Sequence, residues 1–186
     1  MANRSSFSKQ EFDELRLVLV QTPDALEALI RRLPQPLLEA REGPNTWSPV
    51  EVVAHLVSAE RTNWITRLRV VFIDADKHFR PFDREAAANE MSRADSSQLL
   101  NEFRSLRETN LVTLDRFWAE GRDWSSTALH PELGEVTAQQ LLSTWVVHDL
   151  GHVAQICRVL AKNWKEDIGP WQTYLSVVHW NGSAGR

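Results

Sequence analysis

The 186-residue chain predicts an all-α fold, a four-helix bundle, and three observations carry that expectation. Apolar residues recur at i, i+3 and i+4 along four long stretches. No alternating β-branched run of convincing length appears between them, and only seven glycines are present. Connections of moderate length join the stretches, as a bundle requires, and the chain suits one domain, residues 1–186, with a core of its own.

The first helix is expected over residues 9–33. Ser8 with Glu11 three positions later forms a capping-box pattern, while Thr22 and Pro23 read as a second cap and first turn, so a kink or break is expected there. The proline-, glycine- and asparagine-rich "PQPLLEAREGPN" reads as a loop. "WSPVEV" opens the second helix with Ser48 as cap, Pro49 in the first turn and Glu51 three after the cap, and the helix should run to about Phe72. Residues 74–95 are polar and mixed, which predicts irregular chain with a short helical piece. The third helix, Ser96 to Trp118, presents Leu99, Leu100, Phe103, Leu106, Leu114, Phe117 and Trp118 at helical intervals. "EGRDWSSTALHPELGE" is a connection, and the fourth helix starts at Thr137, with Gln140 three later, and continues to about Trp164. The apolar tail "IGPWQTYLSVVHW" should pack back on the body.

Composition narrows the function classes. Hydrophobic residues at 42% and charged residues at 25% suit a globular protein. Lysine and arginine total 21 against 25 acidic residues, a net charge of -4, so no nucleic-acid partner is expected, and the local trio Arg61, Arg67 and Arg69 reads as a solvated helix face. The single cysteine, Cys157, excludes an intrachain disulfide and reads as buried filler. No apolar run approaches the roughly 20 residues needed to span a membrane, and the N-terminal stretch lacks the apolar core of a signal peptide. No membrane partner is expected, and the expected location is cytoplasmic. Eight tryptophans against one tyrosine read mostly as core or interface anchors.

Chemistry concentrates in "WVVHDLGHVAQI". His148 and His152 stand four apart, one above the other on one helix face, together with Leu141, Trp145, Ile156 and Val159. Such a pair is either hydrogen-bonded core or part of a metal site. The spacing is that of zinc proteases, but a metzincin carries a third histidine where this chain has Arg158, and Asp149 is one methylene shorter than the usual glutamate base. Gly151 lowers helix propensity and would permit close helix packing. A third ligand must come from elsewhere, and His55 is the best candidate. It lies off the apolar stripe of the second helix, in line with Ser58, Ala59, Thr62 and Thr66. That strip reads either as a solvated face or as small side chains leaving room beside an open coordination site. Asp149, Glu60 and His130 are candidates to support the ligands from outside. Each has a plain structural reading as well: a polar edge, a salt bridge and a loop residue respectively. No convincing Ser-His-Asp or Cys-His arrangement occurs elsewhere.

"TWSPVEVVAHL" and "HPELGEVTAQQLLSTWVVHDLGHVAQI" resemble the DinB-like, YfiT-like superfamily of helical bundle proteins, whose members share a W-S-x-x-E-x-x-x-H-L start and a later H-x-x-x-H. The resemblance covers nearly the whole chain. It implies a single DinB-like domain in which His55, His148 and His152 bind one divalent metal ion: nickel, zinc or iron. It further implies a metal-dependent enzyme, in which the ion activates either a thiol, for thiol S-transfer, or water, for hydrolysis. The implied partners are a low-molecular-weight thiol, a small electrophilic substrate and a second copy of the chain in a homodimer. The alternative is a non-catalytic metal-binding or stress-response module.

Overall fold

Serine and threonine caps start three of the long helices. In a computed structural model describing residues 7–81 and 95–180, Ser8, Ser48 and Thr137 each accept from the backbone N–H three residues on. Glu11, Glu51 and Gln140 reach back to close the capping boxes. Each such cap contributes about 1 kcal/mol. The helices they open are α1 (Lys9–Ile30), α3 (Pro49–Thr62) and α6 (Ala138–Lys162). Between them lie the single turn α2 (Gln35–Leu38), then α4 (Trp64–Phe72) and α5 (Ser96–Ala119). α1, α3 with α4, α5 and α6 make the four-helix bundle. α1 and α3 both pack on α5 and α6.

Several local features depart from the expectation, each for a physical reason. α3 and α4 are two helices, parted at Asn63, where the Thr62 hydroxyl donates to the Ser58 carbonyl at 2.8 Å. A hydroxyl competing for an i−4 carbonyl bends a helix. The connection before α6 contains an antiparallel hairpin, β1 (Thr127–His130) with β2 (Gly134–Thr137), in the register Thr127↔Thr137 to His130↔Gly134. Gly134 turns it with φ 74°. Each strand has only four residues, too few for alternation to stand out in the sequence. The hairpin also grips the loop after α4: Leu129 N–H donates to Lys77 O at 2.7 Å, and Phe79 N–H donates to Leu129 O at 2.9 Å. The short helical piece expected within 74–95 falls outside the described residues. The tail packs back in part: Val178 is buried and Trp180 covers Arg158 at 4.5 Å, whereas Trp171 and Tyr174 are exposed. Cys157 is exposed, not buried, because its face of α6, shared with Leu150 and Ala154, points outward. Gly151 lies on the same outward side with open space beyond its Cα, so no close helix packing uses it.

Helix α1 runs through Pro23 as one helix, so of the kink or break expected there the break does not occur. Proline has no N–H to give the carbonyl four residues back, here Leu19. Arg107 of α5 supplies the missing donor, its Nη1 reaching Leu19 O at 2.7 Å. The same guanidinium donates through Nη2 to Glu60 of α3 at 2.8 Å and to Asp149 of α6 at 2.7 Å. Glu60 also accepts from Trp145 Nε1 and from the Asn110 side chain. Arg107, Glu60 and Asp149 are all buried. This polar hub separates two apolar clusters, one around Leu19, Trp64, Leu114 and Trp145, the other around Leu26, Val53, Phe103 and Ile156. Burial works against the charge on Arg107, but Asp149 and Glu60 outweigh it and hold the guanidinium above its ordinary range.

Arg107→Met would strand two buried carboxylates without their counter-charge. It is expected to cost roughly 3–5 kcal/mol in urea unfolding. A loss under about 1 kcal/mol would show that the hub does not carry the packing assigned to it.

Candidate metal centre

Consecutive helix residues point about 100° apart. Because Asp149 is drawn inward to Arg107, His148 is turned toward the edge of α6, and His152 follows one turn later on the same face. Glu60 fixes α3 against the same guanidinium, which brings His55 across from the facing helix. The three imidazoles converge. His148 Nε2 lies 3.1 Å from His55 Nε2 and 3.2 Å from His152 Nε2. Among the described residues these three form a group able to hold a metal ion, and no further His, Cys, Asp or Glu belongs to it.

The residues present fit a divalent ion. Zinc–imidazole bonds of about 2.0–2.1 Å place two donor nitrogens roughly 2.9 Å apart at a right angle and about 3.4 Å apart at the tetrahedral angle. The observed separations fall between those values. His152 Nδ1 is 2.9 Å from Gln155 Oε1, an acceptor only, so Nδ1 carries the proton and the Nε2 lone pair faces the cluster. His148 Nδ1 is buried without a partner, as is Asp149 Oδ1, 3.9 Å away. Those two orphaned atoms are a donor and an acceptor once Nε2 of His148 serves a cation.

Electrostatics prepare the site for a metal by keeping protons off it. In the metal-free chain, burial chiefly, and then the other two histidines, push His55 down to about 3. Burial and His148 push His152 down to about 4, against an opposing contribution from Gln155 and Asp149. Both rings are therefore neutral at pH 7 and available as ligands. Tryptophans wall the cluster. Trp47 stacks beside His152 with centroids 6.1 Å apart and lies 4.7 Å from His55, while Trp64 meets His148 edge-on at 5.0 Å. The His148 side chain keeps 22% of its surface exposed, and a hollow lined by Gln140, Ser143, Thr144 and Val147 reaches it.

The other candidates lie elsewhere. Glu60 bonds Arg107, Trp145 and Asn110 and touches none of the three histidines. Asp149 Oδ2 accepts from Arg107, and the residue stands next to His148 just beyond hydrogen-bonding distance. His130 shapes the hairpin turn, its Nδ1 accepting from the N–H groups of Glu132 and Leu133. Gln155, Trp47 and Trp64 are site residues that sequence reasoning passed over. Gln155 was signalled only by its i+3 spacing from His152, and Trp47 by its place just before the α3 cap.

A sequence profile described as the DinB superfamily matches residues 19–156. Among solved structures, the chain is similar to YfiT from Bacillus subtilis, described as a probable metal-dependent hydrolase with an unusual four-helix bundle topology. The TM-score is 0.73 at 21% sequence identity, with 91% of this chain and 94% of the other covered. No curated protein matches significantly.

Two expectations follow. Equilibrium dialysis should find one divalent ion per chain. His55→Ala, His148→Ala or His152→Ala should each weaken its binding by more than the roughly 10–100-fold assigned to loss of an outer partner, and Gln155→Ala should fall within that range. The second concerns pH. Between the folded pKa values and the unfolded value near 6.5, the unfolded chain binds more protons than the folded one, so stability rises with pH across that window. The metal-free protein should therefore hold a constant contribution from these groups above about pH 6.5 and lose it as pH falls toward 4. Urea midpoints at stepped pH values check this, and a midpoint that climbs on acidification from pH 6.5 would contradict it.

Proposed function

The chain belongs to the DinB superfamily, and on that premise we propose that His55, His148 and His152 hold one divalent ion (nickel, zinc or iron) serving a metal-dependent enzyme. The observation that carries this reading is the convergence of three Nε2 atoms within one small group that no fourth described protein ligand closes. A structural site would use four protein ligands; three leave room for a reactant. An ion in that seat would supply Lewis acidity, lowering the pKa of a thiol or a water brought to it.

The chain's own residues complete the arrangement. Gln155 holds His152 in one tautomer. Trp47 and Trp64 limit water around the imidazoles while His148 stays reachable from outside. No separate catalytic base is needed. The reaction we favour is transfer of a low-molecular-weight thiol to a small electrophile: sulfur bonds to the electrophilic carbon, the leaving group departs with the electron pair of its bond, and the thiol proton passes to solvent. Hydrolysis is the second reading, and the description of the Bacillus subtilis relative favours it.

Metal-loaded protein should be assayed with an electrophilic acceptor and bacillithiol, mycothiol, glutathione or cysteine, beside ester and amide substrates without thiol. Turnover that requires thiol and vanishes in His148→Ala is the expected result. Thiol-independent cleavage would assign hydrolysis, and no turnover in any arm would favour a non-catalytic metal-binding module. Chelation should lower the melting temperature while far-ultraviolet helical signal persists at 25 °C, because the apolar clusters and the Arg107 hub do not involve the ion. Loss of helix on chelation would make the metal structural.

A further inference from the structure

The strip that carries His55 continues as the wall of a groove. Ser58, Thr62, Thr66 and Val70 line a cavity of about 480 Å³, which Arg67, Phe79 and Arg80 also line. Arg67 is half-buried there, its guanidinium 5.1 Å from the centre of the Phe79 ring. Phe79 is itself fixed, since the hairpin bonds the backbone on both sides of His78. Arg67 is thus held in the groove wall, which corrects its reading as one of three solvated arginines. Arg69 and Arg61 are exposed, and Arg61 pairs with Glu102.

Arg67 lacks what a half-buried cation ordinarily has. No carboxylate of a described residue comes within ion-pairing distance of it, whereas the buried Arg107 holds two and Arg158 holds one. Asp76 at the rim is engaged by His78 at 2.6 Å. Burial alone pushes the Arg67 guanidinium below its ordinary range, with no acid acting to restore it. A half-buried guanidinium that stacks on a ring but pairs with no carboxylate of a described residue, facing a cavity, is completed by an anion, which its planar fork can hold through two parallel hydrogen bonds.

We propose that Arg67 is the specificity-determining residue of this groove, binding the carboxylate of an elongated ligand. Asp74 and Asp76 offset the charges of Arg67 and Arg80 in the same lining, so a carboxylate monoanion leaves less excess negative charge than a phosphate dianion and fits better. Ser58 of α3, one turn beyond His55, and Arg67 of α4 line the same cavity, so an elongated ligand filling it would extend from the anion seat toward the histidines. That other end rests on the metal-dependent reading above; the anion seat does not.

Benzoate is a suitable probe, a monoanion with an apolar body for Val70 and Phe79, and benzamide is its neutral counterpart. Titrated into the zinc-loaded full chain, benzoate should shift the amide resonances of Thr62, Thr66 and Phe79 saturably, and benzamide should not. Arg67→Gln should weaken benzoate by at least about tenfold and Arg67→Lys by less, with melting temperatures showing that both variants fold. His148→Ala should lose zinc and keep the benzoate response, which separates the two claims. Failure of zinc binding would then sink the metal reading alone. Unchanged benzoate affinity in Arg67→Gln, an equal response to benzamide, or tighter binding of inorganic phosphate would overturn the assignment.

Discussion

Arg107 gives one guanidinium to three other helices of the bundle: the Leu19 carbonyl of α1, Glu60 of α3 and Asp149 of α6. Each contact answers a need the sequence creates elsewhere. Pro23 removes the N–H that Leu19 would otherwise receive, and two carboxylates at core positions require a counter-charge that water cannot provide. The desolvation of three charges makes the hub a poor source of net stability by itself. Its worth lies in geometry. A bonded carboxylate on each of α3 and α6 ties the rotation and height of that helix to one guanidinium.

Those two helices are the ones that carry the histidines. Asp149 pointing inward leaves His148 at the helix edge, and Glu60 sets the rotation of α3 that brings His55 opposite. The hub is charged; in the cluster beside it burial and the neighbouring histidines keep protons off His55 and His152. The bundle therefore stores its charge in one place and its ligand lone pairs in another, one residue apart along α6. Apolar clusters lie on both sides of the hub and do not include the histidines.

Much of this was legible beforehand. The three capping boxes, the helical periodicity and the bundle class rest on local spacing, which short-range physics fixes. The histidine pair on α6 was also local, since residues four apart share a helix face. His55 was not: its partner helix is more than 90 residues away, and its strip read equally as solvent-facing or cavity-facing. Arg107 passed unnoticed although it falls between Phe103 and Leu111 on the apolar stripe of α5, the one signal that a charge is buried there. The continuity of α1 through Pro23 could not be read locally, because the donor that rescues it comes from α5. Cys157 was misplaced because an apolar face of α6 is left outward, and periodicity alone does not say which apolar stripe finds a partner.

The central claim is an open centre made of three imidazoles from two helices whose rotation Arg107 sets. X-ray absorption at the zinc edge of the reconstituted protein tests it most directly. The account predicts three imidazole nitrogens at about 2.0–2.1 Å and at least one light-atom ligand that is not from the protein, exchangeable with an added thiol that brings sulfur scattering near 2.3 Å. A fourth protein ligand that added thiol cannot displace, or fewer than three imidazoles, would contradict it.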